Sequence, residues 1–204
     1  MAATPTARAT YDDVLGASDD VIAEIVGGTL YTHPRPSRRH VTTAIALAVE
    51  LGAPFQKGSG GPGGWLFADE PELHLGADVL VPDVAAWRYE RLAGHPETSY
   101  FTVTPDWVCE ILSASTEKRD RTIKMQAYAD AGVDHLWLID PRYQILEAFA
   151  LTPGVWTKSG SWNSDDEVRA APFDAVSFSL ANLWPLDKPL GFNENPQPLF
   201  AGDR

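Results

Sequence analysis

The stretch Trp107 to Asp140, WVCEILSASTEKRDRTIKMQAYADAGVDHLWLID, decides the fold. Residues 107–112 form a short, almost unbroken apolar run, the mark of a strand covered on both faces. Ser113, Ser115 and Thr116 then offer N-caps, and Glu117 stands in the first turn of a helix over about 116–131 that Gly132 stops. Residues 135–139 resume as an apolar strand. A strand, a crossover helix and a second strand in that order favour a parallel pair.

Working outward, residues 65–75 and 79–88 are strand-like on the N-terminal side, and residues 145–151 follow the Asp140-Pro141 turn on the other. Residues 22–31, IAEIVGGTLY, predict an N-terminal β-hairpin turning at Gly27-Gly28. After a basic segment ending at His40, the spacing of Val41, Ala44, Ile45, Ala48 and Leu51 predicts a helix, with Ser37 as N-cap. Residues 58–64 hold five glycines, but no Gly-Lys-Ser/Thr follows and the next segment is extended. They read as a flexible loop and not as a phosphate cradle. From Thr152 onward the chain reads as turn-rich. The sum is an α+β fold built on a mixed sheet, with an extension over 1–19, one domain over 20–185 and an extended, proline-containing arm over 186–204.

At 204 residues and 22.3 kDa, with 44% hydrophobic residues, the chain can bury a sizeable core in one domain. One cysteine, Cys109, allows no internal disulfide and fits a reducing cytoplasm. No apolar run approaches the roughly 20 residues of a membrane span. The net charge of -12 argues against broad, nonspecific binding of nucleic acid, which runs on positive surface.

Three residues carry the chemistry. Glu110 interrupts the apolar strand on the side of Val108 and Leu112, where a lone carboxylate costs several kcal/mol unless it is paired, protonated or bound to a cation. It is a structural ion pair, a metal ligand or a general base. Asp83 interrupts a second apolar run, beside Pro82, which makes that strand locally irregular or puts it at a sheet edge; an Asx-type turn is the bland alternative. Lys124 lies at the margin of the helix's apolar face, able to reach back to the strand ends, or else to pair with Asp120 four residues earlier on the surface. Two carboxylates suit Mg2+ or Mn2+, and no histidine or cysteine cluster has zinc spacing. With a lysine beside them, they suit metal-assisted phosphodiester hydrolysis. A carboxylate-pair glycosidase is a weaker fit.

The ordered set Glu24-Ile25-Val26-Gly27-Gly28, His40, Pro82-Asp83-Val84, Cys109 to Thr116, Asp120, Lys124, Tyr128, Gly132-Val133 and Leu136 to Pro141 resembles the Uma-two family of restriction-endonuclease-like proteins, within the PD-(D/E)xK nuclease superfamily. The resemblance implies a restriction-endonuclease-like core, a central mixed sheet flanked by helices. It implies a Mg2+- or Mn2+-dependent endonuclease acting on DNA, with Asp83 and Glu110 as acidic ligands and the Ile111 carbonyl as a further one. The superfamily lysine two residues after the glutamate is replaced by Leu112, and its role passes to Lys124. Glu72 and His40 are further candidates for the same pocket. Superfamily nucleases that cut both strands often act as dimers, so a homodimer is implied. The alternative is a non-enzymatic protein that keeps the fold and binds a protein partner. Two basic groups, Arg35, Arg38 and Arg39, then Lys118, Arg119, Arg121 and Lys124, are expected to form a phosphate-binding rim on an otherwise acidic body, with steep salt sensitivity.

Overall fold

The computed structural model describes residues 8–92, 94 and 98–187. Its first element is one the sequence did not announce, a short helix α1 (Tyr11–Leu15). Thr10 and Asp13 cap it reciprocally. The predicted hairpin follows as β1 (Val21–Val26) and β2 (Thr29–Pro34), in register from Val21↔Pro34 to Val26↔Thr29. Gly27 and Gly28 both take positive φ, as a two-residue hairpin turn of this kind requires. Helix α2 (Arg38–Leu51) is N-capped by Ser37, whose hydroxyl accepts from the His40 amide, and runs on into a π-helical turn at Gly52–Gln56. The glycine-rich segment beyond it is a loop.

The two long strand-like segments each break in two. The first gives β3 (Trp65–Asp69) and β4 (Leu73–Leu75), the second β5 (Asp78–Leu80) and β6 (Val84–Arg88). Glu70, at φ 43, turns the chain after β3, and Val81-Pro82-Asp83 interrupts the other segment. The pieces join different sheets. A four-stranded sheet has the order β2-β1-β5-β4, whereas β3 and β6 belong to the central sheet.

After a short helix α3 (Tyr89–Leu92), the deciding stretch folds as predicted. Strand β7 (Trp107–Ile111) and strand β8 (His135–Asp140) pair in parallel. The crossover between them is helical in three consecutive pieces: α4 (Glu117–Arg119), a π-helical turn at Asp120–Lys124, and α5 (Met125–Asp130). Gly132, at φ 77, then redirects the chain. β9 (Ile145–Thr152) pairs antiparallel with β8.

The turn-rich reading beyond Thr152 needs correction: β10 (Val155–Asn163) is a nine-residue strand paired with β9. A small pair, β11 (Glu167–Val168) and β12 (Phe178–Ser179), and a 3-10 turn at Leu180–Leu183 complete the fold. The central mixed sheet has the order β10-β9-β8-β7-β6-β3. Of the expected C-terminal arm, residues 188–204 lie outside the described residues. Asp187 is tied back to Arg39 at the start of α2.

Apolar burial drives the layering. One face of the central sheet presents Trp107, Cys109 and Ile111 to a core that holds Leu47 and Leu51 of α2 with Trp65, Trp137 and Phe173. The other presents Val108 and Leu112 to a second core with Trp87, Tyr128, Leu136 and Leu138. Glu110 therefore points from β7 into the layer between the central sheet, the crossover helix and the hairpin sheet. Among the described residues no helix is long and apolar enough to cross a membrane.

Candidate active site

A cavity of about 190 Å³ opens at the end of β7 where its chain turns into the crossover helix. Asp83, Glu110, Ile111, Lys124, Asp120 and His40 all line it. The structure thus brings together the three residues singled out from sequence, and it admits His40 while leaving out Glu72. Glu72 lies beside β4, where it accepts hydrogen bonds from the Tyr11 hydroxyl (2.8 Å) and pairs with His74 (2.7 Å).

The break at Val81-Pro82-Asp83 is what aims Asp83. Its Oδ2 accepts from the Ile111 amide at 2.5 Å, and its Oδ1 lies 2.7 Å from His40 Nε2. The ring is thereby joined to a carboxylate from another element. Burial pulls the His40 pKa down, but the hydrogen bond and charge of Asp83, with Glu70 and Asp120 behind it, raise it overall.

Lys124 is the centre of the arrangement. Only 2% of its surface is exposed, and its Nζ donates to Glu110 Oε1 (2.8 Å), Glu24 Oε1 (2.8 Å) and the Val81 carbonyl (3.0 Å). Three acceptors use all three ammonium protons. Burial opposes the charge, yet Glu110, Glu24 and Asp120 outweigh it and raise the Lys124 pKa. Lys124 is a fixed cation and not a base. The surface pair with Asp120 that its spacing allowed does not form: both residues are buried and face inward from the π-helical turn.

Glu24 is the residue sequence reasoning missed. It is fully buried on β1, and its Oε1 accepts from the Val81 amide (2.9 Å) as well as from Lys124. Burial pushes its pKa up, but the Lys124 charge, the His33 ring 3.6 Å from Oε2 and the bonds from Lys124 and Val81 carry it down to about 2. The signal was present: Glu24 interrupts Ile22 and Val26 on one strand face just as Glu110 interrupts Val108 and Leu112.

Glu110 is 3% exposed, and one oxygen, Oε1, takes both the Lys124 ammonium and the Tyr128 hydroxyl (2.5 Å). No hydrogen bond engages Oε2 among the described residues. Burial raises the Glu110 pKa well above the carboxylate range; Lys124 counters this, while Asp120, Asp83 and Glu24 add to it. Lys124 and Arg119 face four carboxylates, Glu24, Glu110, Asp120 and Asp83, more than they can neutralise.

That surplus is the test of whether a divalent ion fits. A cation beside Glu110 Oε2 and Asp83 would relieve the excess negative charge, and carboxylate and carbonyl oxygens are what Mg2+ and Mn2+ prefer. Among the described residues no group of three or more His, Cys, Asp or Glu forms a metal cage. A site of one or two carboxylates, completed by water and substrate, matches how Mg2+ is usually bound. The residues fit.

The basic rim is narrower than expected. Arg39 is held bidentately by Asp187, and Arg121 is paired with Glu117 and Glu147. Arg35 and Arg119 line the cavity, and no ion pair engages Arg38 or Lys118 among the described residues.

Residues 9–181 match the family model described as "Uma2: Putative restriction endonuclease", and the chain belongs to that family. With it the chain takes its place among nuclease-like proteins. In fold it is similar to a crystal structure described as "a putative nuclease belonging to DUF820" from Anabaena variabilis. The TM-score is 0.70 at 20% identity, covering 86% of this chain and 97% of that one. No curated protein matches.

Proposed function

We propose that this chain is a divalent-metal-dependent endonuclease that hydrolyses DNA phosphodiester bonds at the cavity of Asp83, Glu110 and Lys124. The observation that carries the reading is the unengaged Oε2 of Glu110, beside Asp83, in a layer where Lys124 and Arg119 face four carboxylates. Asp83, Glu110 and the Ile111 carbonyl would hold Mg2+ or Mn2+. When bound, the ion supplies a Lewis acid for the phosphate and a more acidic water.

The chain's own residues do the rest. Ile111 N–H and His40 fix the Asp83 carboxylate, and Tyr128 and Lys124 fix Glu110, so the two acids are held before substrate arrives. Lys124 places a permanent positive charge beside the reacting phosphate, and Glu24 keeps it there. Nicking of supercoiled plasmid in Mn2+ or Mg2+ tests the reading. Wild-type protein is expected to nick and Asp83→Ala to fail; equal cutting by both, or none by either, sinks it.

One observation favours a second reading, a protein-binding role for the same fold. Val41, Ile45 and Val49 form an exposed apolar stripe on α2, beside a groove of about 510 Å³ that also takes in Phe67 of β3. Capture of a protein partner that Ile45→Asp abolishes, together with no Mn2+ binding by calorimetry, would favour it over catalysis.

A further inference from the structure

The groups that would do the chemistry lie at the bottom of a narrow cavity, not on an open cleft. Glu110 and Lys124 are almost wholly buried, and the walls rise on both sides: the end of β2 with Arg35, Pro36 and Ser37, and the turn of Ser113, Ser115 and Thr116. A volume of about 190 Å³ is below the usual range for a small-molecule pocket and has room for little beyond a phosphate group and its nearest atoms. A strand must bend its backbone into such a site. An unpaired strand does so readily, whereas a stiff, base-paired duplex holds its phosphates on the outside of a rod.

Charge points the same way. Double-stranded DNA presents one negative charge per about 1.7 Å of its axis, and binding it takes a broad cationic surface. Here the body carries -12, and Arg39, Arg121 and Arg142 are taken up by Asp187, Glu117, Glu147 and Asp140. What remains is Arg38 and Lys118, with no ion pair among the described residues, and two arginines lining the cavity, Arg35, held at 3.9 Å by Glu70, and Arg119, 3.5 Å from the buried Glu24, enough to follow a few phosphates of one strand.

A third feature supplies what single strands use and duplexes do not, an exposed aromatic face. Tyr143 is 69% exposed, with the Arg142 guanidinium 5.4 Å from its ring centroid. It sits in the turn between β8 and β9. That turn is lodged between the starts of the two helices whose first turns border the cavity: Arg142 donates to Glu117 (2.7 Å), and Gln144 donates to Asp187 (3.1 Å), the residue that holds Arg39. Bases stack on such a ring whatever their sequence.

We infer that the substrate of this site is an unpaired DNA strand, its backbone bent into the cavity and a neighbouring base stacked on Tyr143. The inference rests on the nuclease reading above and narrows its substrate. On it, the homodimer expected of an enzyme that cuts both strands is not needed for cleavage.

Fluorescence anisotropy of the wild-type full chain in EDTA, with a labelled 20-nucleotide single strand and with the same sequence as a duplex, separates the two ideas. The single strand is expected to bind at least tenfold more tightly, with a slope of log affinity on log salt between about -2 and -3 for three or four phosphates. Tyr143→Ala should weaken single-strand binding at least fivefold and leave duplex binding unchanged. Equal or tighter duplex binding, or binding of neither, overturns the inference, as does a Tyr143→Ala protein that binds the single strand like wild type. Adding Mn2+ then reads cleavage. A retained single-strand preference with no cutting would sink the nuclease reading while supporting the strand preference.

Discussion

Two buried glutamates touch the same ammonium at the same distance and are driven in opposite directions. Glu24, on β1 of the hairpin sheet, and Glu110, on β7 of the central sheet, each lie 2.8 Å from Lys124 Nζ. Glu24 is carried down to about 2 against its burial; Glu110 is pushed up by its own. Their surroundings explain the split. Glu24 has the Val81 amide on Oε1, and its Oε2, which accepts no hydrogen bond, has the Arg119 guanidinium at 3.5 Å and His33 at 3.6 Å. Glu110 has the carboxylates of Asp83 and Asp120 nearby instead, and no cation beside its Oε2 among the described residues. The first glutamate neutralises the lysine, and the second is left needing a cation. A structural carboxylate and the one proposed to bind metal can thus share a single lysine.

The most direct way to break this comparison is to remove the shared cation. Lys124→Met should abolish cleavage and destabilise the fold by about 3–5 kcal/mol, because it strands two buried carboxylates. Urea denaturation with a plasmid assay checks both. Mn2+ should restore part of the stability through Glu110 and Asp83.

Replacing the second glutamate separates activity from stability. Glu110→Gln should lower cleavage at least about a hundredfold, the scale of losing one preorganised charge-stabilising group. In metal-free buffer at pH 7 it should leave Tm unchanged or raised, since an unneutralised carboxylate has gone. A large loss of Tm would show that Glu110 is the structural partner.

Glu24→Gln should do the reverse, costing roughly 2–3 kcal/mol at pH 7. The two differ in pH dependence as well. Glu24, held below its ordinary value of 4.5, contributes stability that is complete above that value and drains away as pH falls toward 2. Glu110, held above 4.5, contributes stability that is complete below that value and is lost as pH rises through its folded value. Tm measured against pH in EDTA should therefore lose its acid-side decline in Glu24→Gln but keep it in Glu110→Gln. The smallest effect is that of Tyr128→Phe, about 1 kcal/mol for one hydrogen bond, with a modest fall in cleavage from a less firmly held Glu110.

Much of this was legible in the chain. Residues 107–140 announce a parallel strand pair with a helical crossover, and alternation puts Glu110 on the face where it is found. Gly27-Gly28 announces the hairpin. Other features resist sequence because their causes are not local. The strand-like segments divide at Glu70 and Pro82, and only the second breaker is a residue type that signals it. β10 is an edge strand whose residues are largely exposed, so Lys158, Ser159, Gly160 and Ser161 supply no apolar alternation. Glu24 carried the same pattern as Glu110. Hairpin strands commonly have a wet face, however, and only the packing of the hairpin sheet over Lys124 makes this one dry.

The sharing of Lys124 also ties function to a particular piece of the fold. The hairpin meets the rest of its sheet through a single β1–β5 register pair, Ile25↔Val79, next to the Val81 bond to Glu24. Fraying there would release Glu24 while β7, the crossover helix and β8 stayed paired. The chain would then keep nearly all its helix and most of its sheet yet lose the clamp on Lys124, the cation of the proposed site. Heating or mild denaturant should silence the enzyme before circular dichroism registers unfolding, with the amides of β1 and β2 exchanging hydrogen earlier than those of β7 and β8.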